Sequence, residues 1–291
     1  MTPCCTGLLL NYRDVARTVK CVKSLLDSAI SLVVVWDNSA DSGLAAAEIR
    51  KTFALDDRVI VYGSDANVGF AAGVNRGLLL CLAIKPRAWV LLINNDATLL
   101  GGSLEKLQVA LISNPKAKIA FPDINHAGTV RGGGYYHGLS GLMFLKPVRG
   151  SFLFATGCCL LVATDRIIGP LFDEDFFMYG EDVELGWRLA QHPGSTAYVH
   201  ETLVEHEGSA SSGMASLFYE SHIATGHLLL ALKLARGFGE TLVFLSARLL
   251  ILTARASVRS LRYRTMSPWS GLVAGIRRVR RIAGARHHDH F

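Results

Sequence analysis

The first hundred residues alternate between short apolar runs and longer amphipathic stretches. Apolar runs of about 4–8 residues are typical of strands buried on both faces, whereas amphipathic stretches are typical of helices that pack on a sheet. The pattern therefore predicts strands separated by helices. The predicted strands are 7–10, 31–36, 58–62 and 88–93, and the predicted helices are 15–28, 44–53 and 71–84.

Short buried strands separated by helices predict an α/β fold with a Rossmann-like, mostly parallel sheet and helices on both faces. Residues 119–150 are rich in glycine and are expected to be irregular, and a single strand is predicted over 151–164. Long helices are expected after Met214. We expect a catalytic domain over residues 1–213 and a helical, basic extension over residues 214–291.

The charge is distributed unevenly along the 291 residues. The formal net charge is +6, but residues 227–291 contain 12 Lys/Arg against 2 Asp/Glu, while the preceding part contains 18 against 22. A basic tail suits nucleic acid, an anionic membrane face or an acidic partner. The apolar stretch 226–252 is interrupted by four charged residues, Lys233, Arg236, Glu240 and Arg248. Two alternatives therefore remain for this stretch: it is a peripheral membrane anchor, or it forms core-packing helices followed by a solvated tail.

Cysteine usage and the first residues bear on the cellular location. The six cysteines form two vicinal pairs and two singles without a Cys-x-x-Cys motif, which predicts reduced thiols in a cytoplasmic protein. The sequence MTPCCTGLLLNYRD lacks a basic leader and a long apolar run, so we expect neither a secretory signal nor a membrane span there.

Polar residues follow the predicted strands, at the edge where α/β sheets bind ligands. These groups are Asn11-Tyr12-Arg13, Asp37-Asn38-Ser39, Asn67 to Gly77 and Asn94-Asn95-Asp96. The oxygens of the last group suit a hard cation that carries phosphates, although a turn or a helix N-cap has the same composition. Gly69 and Gly73 suit either a phosphate at the start of a helix or tight packing of that helix on a strand.

Two later segments carry further candidates. Glu181 and Asp182 follow a group of aromatic residues at the head of a predicted helix, where one carboxylate could hold an acceptor while the other takes a proton. The alternative is an acidic first turn that the helix dipole favours. His206 follows an apolar run and could bind the same metal or diphosphate, although a lone histidine is more often structural.

In this order, the segments resemble a family 2 glycosyltransferase of the GT-A fold, in particular its bacterial rhamnosyltransferase-like and galactofuranosyltransferase-like branch, over about residues 8–212. The resemblance implies that Asp96, with the diphosphate and His206, binds Mg²⁺ or Mn²⁺. It also implies that Asn94 stands at the position where the family's metal motif usually has its first Asp. It also implies that Asp182 is the general base and that Glu181 positions the acceptor. The expected nucleotide-sugar contacts are Asn11, Arg13, Asp37, Asn67, Gly69, Asn75, Asn94 and Asn95.

The expected activity is inverting transfer of a sugar, with rhamnose from dTDP-rhamnose as the first choice, to a lipid-linked or cell-surface polysaccharide acceptor at the inner face of the cytoplasmic membrane. One alternative is a nucleotide-sugar nucleotidyltransferase, although Asn11 to Asp14 stand where such enzymes usually carry a glycine-rich basic loop. The other is a nucleic-acid-binding protein. The tail has few aromatic residues and no recognisable reading module, so no nucleic-acid partner is expected.

Overall fold

The structure, a computed structural model, describes residues 3–208 and 215–288. The strands are β1 (Cys5–Asn11), β2 (Leu32–Asp37), β3 (Val59–Gly63), β4 (Trp89–Ile93), β5 (Ala97–Leu99), β6 (Ile119–His126), β7 (Thr129–Arg131), β8 (Gly133–His137), β9 (Met143–Phe144), β10 (Ser151–Ala155), β11 (Cys159–Val162) and β12 (Thr196–His206). The helices are α1 (Val15–Leu26), α2 (Leu44–Thr52), α3 (Phe70–Ile84), α4 (Ser103–Ser113), α5 (Glu181–Ala190), α6 (Leu217–Leu234), α7 (Phe238–Tyr263) and α8 (Ser267–His288).

The chain forms two compact units whose segments alternate along the sequence. The first comprises Met1–Gly133, Ala155–Phe172 and Arg188–Gly208, and the second comprises Gly134–Phe154, Asp173–Trp187 and Ser209–Phe291. Two internal segments therefore group with the C-terminal helices. The predicted domain boundary at residue 213 lies outside the described residues and stays a prediction.

The first unit is built on a nine-stranded sheet with the order β3-β2-β1-β4-β11-β6-β12-β5, and β7 pairs with β6. The first four strands of this order are parallel. Beyond β4 the sheet is mixed, because β11 runs antiparallel to both β4 and β6 while β12 is parallel to β6. The predicted α/β fold with helices on both faces is confirmed, and the sheet is mixed rather than parallel throughout.

The predicted elements of the first hundred residues are all present, with ends that differ by only a few residues. Their apolar runs form buried strands because both faces of the sheet are covered: every residue of β2 is buried. Asp14 is the N-cap of helix α1, and its side chain accepts a hydrogen bond from the backbone N–H of Arg17. In the register of β1 and β2, Asn11 lies opposite Asp37, so two predicted site residues meet at one sheet edge.

Two expectations for the middle of the chain were wrong. Residues 119–150 are not irregular, since they contain β6 to β9. Pro122 is tolerated within β6 because it lies opposite Val199, beside an irregularity in the register of β12. The predicted single strand 151–164 is two strands in two different sheets, β10 beside β8 and β11 between β4 and β6.

The second unit combines a small sheet of the order β10-β8-β9 with helices α6, α7 and α8. Its core contains Tyr136, Phe154, Phe176 and Leu228 together with apolar residues of α7 and α8. Helix α8 approaches α6 closely, because a Cβ at Gly275 would lie 2.7 Å from the Cβ of Ala224. The long helices predicted after Met214 are confirmed.

All six cysteines are free, as expected from their spacing. Cys21, Cys158 and Cys159 are buried, and burial raises the pKa of each thiol well above its ordinary value. These thiols are therefore protonated at neutral pH and act as small apolar side chains of the core.

Candidate active site

A buried hydrogen-bond network joins the carboxyl ends of β1 and β2. Asn11 Nδ2 donates to Asp37 Oδ1 at 2.8 Å and to Ser39 Oγ at 3.2 Å. The Ser39 hydroxyl in turn donates to Asp37. Because Asp37 is buried, these donors replace the water that an ionised carboxylate would otherwise require. The network fixes the edge of the sheet at which the nucleotide was predicted to bind.

Thr18 of α1 links this network to the turn after β4. Its hydroxyl donates to Asn11 Oδ1 at 2.7 Å, and Asn95 Nδ2 donates to the same hydroxyl at 3.0 Å. The ends of β1, β2 and β4 are thus connected through buried or half-buried polar side chains. This confirms, within the first unit, that polar groups distant in sequence meet at one sheet edge.

Arg13 is held at this edge by its backbone as well as by its side chain. Its backbone N–H donates to Ser39 Oγ at 2.8 Å, and its Nε donates to the Ser39 carbonyl at 3.2 Å. Its φ of 54° lies in the left-handed region, where a non-glycine residue is uncommon. Arg13 is exposed, so the rest of its guanidinium is open to an anionic ligand.

The loop before α3 is tied to the end of β2 by Asn38. Its Nδ2 donates to the Gly69 carbonyl at 2.8 Å, and its Oδ1 accepts from Trp36 Nε1 at 3.2 Å. Asn67 Oδ1 accepts from the Gly69 backbone N–H at 3.0 Å. Gly69 has a φ of +86°, which explains why a glycine stands at the start of this helix. Asn67 and Gly69 therefore lie next to the polar residues that follow β2.

The glycines inside α3 have a packing role. A Cβ at Gly73 would lie 2.7 Å from Leu10 Cδ2, and one at Gly77 would lie 2.5 Å from Leu8 Cδ1. These distances leave no room for a methyl group, so α3 packs tightly on β1. Of the two roles that the sequence left open for Gly73, the structure supports packing.

The side-chain amide of Asn75 both donates a hydrogen bond to the backbone of Phe172 and accepts one from it. Its Nδ2 donates to the Phe172 carbonyl at 2.8 Å, and its Oδ1 accepts from the Phe172 N–H at 3.1 Å. The side chain is buried, which gives it a structural role in this unit. A contact with the donor sugar stays a prediction for Asn75.

Replacing Asn75 with Ala is expected to lower the free energy of unfolding by about 1–3 kcal/mol, because two buried backbone groups lose their partners. Urea denaturation measures the change. The exposed Asn114 provides a matched control, since its Nδ2 donates only to the Ala110 carbonyl at the end of α4. A smaller loss in Asn75→Ala than in Asn114→Ala would contradict the structural role.

Asp96 lies in the turn between β4 and β5, opposite the end of β12. Its Oδ1 is 2.9 Å from His206 Nε2, and both side chains are mostly buried, with 15% of Asp96 and 11% of His206 exposed. The Nδ1 atoms of His206 and His126 lie 2.7 Å apart, so one imidazole donates to the other. Burial, followed by the neighbouring His206, lowers the pKa of His126, which keeps that ring neutral at neutral pH. The predicted pairing of Asp96 with His206 is present.

The Asp96 and His206 pair fits a divalent cation as part of its ligand set. Two ligand atoms 2.9 Å apart match neighbouring positions around an ion bound at about 2.1 Å. An imidazole beside a carboxylate favours Mn²⁺ over Mg²⁺, which prefers oxygen ligands. Among residues 3–208 and 215–288 no three His, Cys, Asp or Glu side chains form a metal-binding group.

Glu181 and Asp182 open α5, in the second unit. Glu181 is buried, and burial, followed by the charge of Asp182, raises its pKa to about 8. Glu181 is therefore mostly protonated at neutral pH, so it is a hydrogen-bond donor and a poor base. Asp182 Oδ1 accepts from the Val183 N–H at 2.8 Å, which fixes its orientation. That Asp96 and Asp182 face one sugar stays a prediction.

Two residues of this site escaped the sequence analysis as contributors to it. They are Thr18 and His126. Asn38 and Ser39 belong to the group after β2 that the sequence placed at this edge, and both take part in its hydrogen bonds. Thr18 and His126 carry no motif, and only the fold brings them to the site.

Comparisons with known proteins agree with this architecture. The family model described as glycosyl transferase family 2 matches residues 10–165. The chain is 28% identical over 229 residues to the N-acetylglucosaminyl-diphospho-decaprenol L-rhamnosyltransferase of Mycobacterium tuberculosis, an alignment that covers 67% of this chain and 71% of that protein.

Solved structures share the fold at low sequence identity. The crystal structure of S. aureus TarS 1–349 in complex with UDP-GlcNAc superposes with a TM-score of 0.58 and 12% identity, covering 94% of this chain and 79% of the other. The crystal structure of GalNAc-T7 with UDP, GalNAc and Mn²⁺ gives a TM-score of 0.55 and 13% identity over 77% of this chain and 49% of the other. With the family match over more than half of the chain, the protein belongs to glycosyl transferase family 2 and is a glycosyltransferase.

Proposed function

We propose that this glycosyltransferase moves a hexosyl group from a nucleotide diphosphate sugar to a hydroxyl group, with inversion at the anomeric carbon. The observation that carries the proposal is the network of Asn11, Asp37, Thr18 and Asn95, which lies beside the Asp96 and His206 pair. Such an edge offers hydrogen-bond acceptors for a nucleoside and ligands for a cation next to each other.

The donor of first choice is dTDP-rhamnose, and the acceptor of first choice is a lipid-linked or cell-surface saccharide. Support comes from the name of the mycobacterial relative, a rhamnosyltransferase that acts on a lipid-linked saccharide. The TarS structure with UDP-GlcNAc supports the class of donor. A lipid-linked acceptor would place the enzyme at the inner face of the cytoplasmic membrane.

In the proposed mechanism Asp182 takes the proton of the acceptor hydroxyl. The acceptor oxygen forms a bond to the anomeric carbon while the bond from that carbon to the diphosphate breaks, and the electron pair leaves with the diphosphate. Glu181, protonated near neutral pH, donates a hydrogen bond that orients the acceptor. Arg13 offers its exposed guanidinium to the nucleotide. Asp96 and His206 would hold Mn²⁺ or Mg²⁺, which neutralises the charge on the departing diphosphate.

The proposal is tested by donor turnover with a panel of nucleotide sugars, with Mn²⁺, with Mg²⁺ and with a chelator. We expect hydrolysis or transfer with one donor class, loss of turnover with the chelator, and a product of inverted anomeric configuration by NMR. Retention of configuration would reject the mechanism. Formation of a nucleotide sugar from a nucleoside triphosphate and a sugar phosphate would establish a nucleotidyltransferase instead.

Replacing His206 with Ala is expected to raise the Mn²⁺ concentration for half-maximal turnover by about 10–100-fold, since loss of a residue that holds or orients a metal has effects of this size. Titration of turnover against Mn²⁺ measures the change. The exposed His192 in the same unit provides the control, and His192→Ala should leave the titration unchanged. An unaltered Mn²⁺ requirement in His206→Ala would remove His206 from the metal site.

A further inference from the structure

Helix α7 exposes apolar side chains and buries charged ones, which is the reverse of the usual distribution on a helix at a water-facing surface. From 242 to 261 its large exposed side chains are all aliphatic, namely Leu242, Val243, Leu249, Leu250, Val258 and Leu261. The other exposed positions of this span are serine, threonine and alanine, and none is charged. Together with these small residues, the aliphatic positions recur at spacings of three, four and seven residues, which places all of them in one stripe that is about 30 Å long.

The arginines of this span lie on the inner face. Arg248 is fully buried, its Nη2 donates to the Gly138 carbonyl at 2.7 Å, and its guanidinium lies 5.0 Å from the centre of the Tyr136 ring. Arg255 and Arg259 form ion pairs with the buried carboxylate of Glu220 on α6. The arginines of the inner face therefore contact the protein itself, although Arg248 Nε and Nη1 and Arg259 Nη2 make no hydrogen bond. The outer face lacks a partner within the described residues.

An aliphatic stripe of this size is unusual on a surface that faces water. Contiguous apolar patches on soluble proteins usually mark a contact with another protein, a ligand or a membrane. Only 17% of the most apolar window of α7 is buried, so the stripe does not serve the core of its own unit. A partner with an apolar surface is required to cover it.

The charge around the stripe favours an anionic lipid surface as that partner. Residues 215–288 contain two acidic residues, Glu220 and Glu240. Glu220 is buried, and Glu240 accepts from the backbone N–H of Arg236 at 2.6 Å. Exposed arginines flank the helix and lie on α8, namely Arg236, Arg262, Arg264, Arg277, Arg280 and Arg281. A second copy would bring two strongly basic surfaces together, whereas anionic headgroups attract them.

The contacts of the inner face favour an α7 that lies along a membrane surface over one that crosses it. Helix α7 is long and apolar enough to span a bilayer by length and composition. Spanning would carry Arg248, Arg255 and Arg259 into hydrocarbon, where each arginine costs several kcal/mol, and would separate the last two from Glu220. An in-plane helix buries only its outer stripe and keeps these contacts.

We propose that the outer stripe of α7 inserts into the headgroup region of an anionic bilayer, with the surrounding arginines contacting lipid phosphates. This assigns the partner of the C-terminal helices, and it rests on the proposed function in that a lipid-linked acceptor would be presented at the same surface. None of the residues of this contact is among those that the proposed mechanism uses.

The test is sedimentation of the full chain with phosphatidylglycerol-containing and pure phosphatidylcholine vesicles. We expect binding to the anionic vesicles, weaker binding at high salt, and release by alkaline carbonate. Replacing Leu250 and Leu261 together with Gln should lower the apparent affinity at least about tenfold, because two large apolar side chains no longer insert. These side chains are 73% and 81% exposed, so the fold tolerates the change.

A matched pair in the first unit serves as control. Leu55 and Leu79 are 103% and 69% exposed, and Leu55→Gln with Leu79→Gln should leave vesicle binding unchanged. Equal vesicle binding by both double variants, no binding by the native chain, or resistance to carbonate would overturn the proposal. So would a dimer in light scattering that Leu250→Gln dissociates.

Sugar transfer, which tests the proposed function, is measured separately from vesicle binding. Transfer to a water-soluble acceptor should be unchanged in the Leu250→Gln, Leu261→Gln variant. Loss of vesicle binding with transfer retained would therefore concern this surface alone. Vesicle binding by a chain that transfers no sugar would instead reject the proposed function and leave the surface intact.

Discussion

Asp182→Asn is expected to lower the turnover number by about 10²–10⁴-fold while leaving the fold and donor binding largely intact. The amide keeps an oxygen at the position that accepts from the Val183 N–H, so the start of α5 is preserved. It cannot take the proton of the acceptor hydroxyl, which is the step that the proposed mechanism assigns to Asp182. Steady-state turnover and donor titration by calorimetry measure the two effects.

Two further variants make this result specific. Asp57→Asn changes an exposed carboxylate of the first unit and should have no effect on turnover. Glu181→Gln keeps a hydrogen-bond donor in place of the protonated acid, so it should lower turnover far less than Asp182→Asn does. Near-normal turnover in Asp182→Asn would remove Asp182 from the chemistry.

Glu220→Gln is expected to destabilise the protein by about 3–5 kcal/mol, since loss of one partner leaves buried or half-buried charges uncompensated. Glu220 is buried, and its two oxygens accept from Arg255 and from Arg259 Nε, the latter at 2.6 Å. Both arginines are partly exposed, so water compensates some of the loss and we expect the lower end of the range. Urea denaturation gives the free energy of unfolding.

Its matched control is Glu201→Gln, which breaks an exposed ion pair with Lys106. Exposed pairs contribute about 0–1 kcal/mol, so this variant should unfold at nearly the native urea concentration. Equal midpoints for the two variants would show that Glu220 is not the anchor of the C-terminal arginines.

The sequence predicts the first four strands and their helices because both sheet faces are covered there, so each strand is a continuous apolar run. The same reasoning fails after residue 118. A proline usually argues against a strand, but Pro122 is tolerated in β6 because the neighbouring strand β12 has an irregular register there. The run 151–164 is apolar in both halves, and nothing local indicates that its halves join different sheets.

The site shows the same division between local and tertiary information. Asn11, Asp37, Asn95 and Asp96 could be predicted because the carboxyl ends of parallel strands share one edge. His126 could not, since its strand was not predicted and its partner His206 is distant in the sequence. Asn75 belongs to the motif, but the contacts of its amide with Phe172 depend on a segment that folds back from far along the chain.

The position of Thr18 affects which substitutions this edge of the sheet tolerates. Its hydroxyl is a shared node between Asn11 and Asn95, although it sits on a helix rather than in either loop. Valine has nearly the same shape and would preserve the packing of α1, but it would remove the hydrogen bonds that connect Asn11 and Asn95. A change at position 18 is therefore expected to alter which side chains are tolerated at position 95.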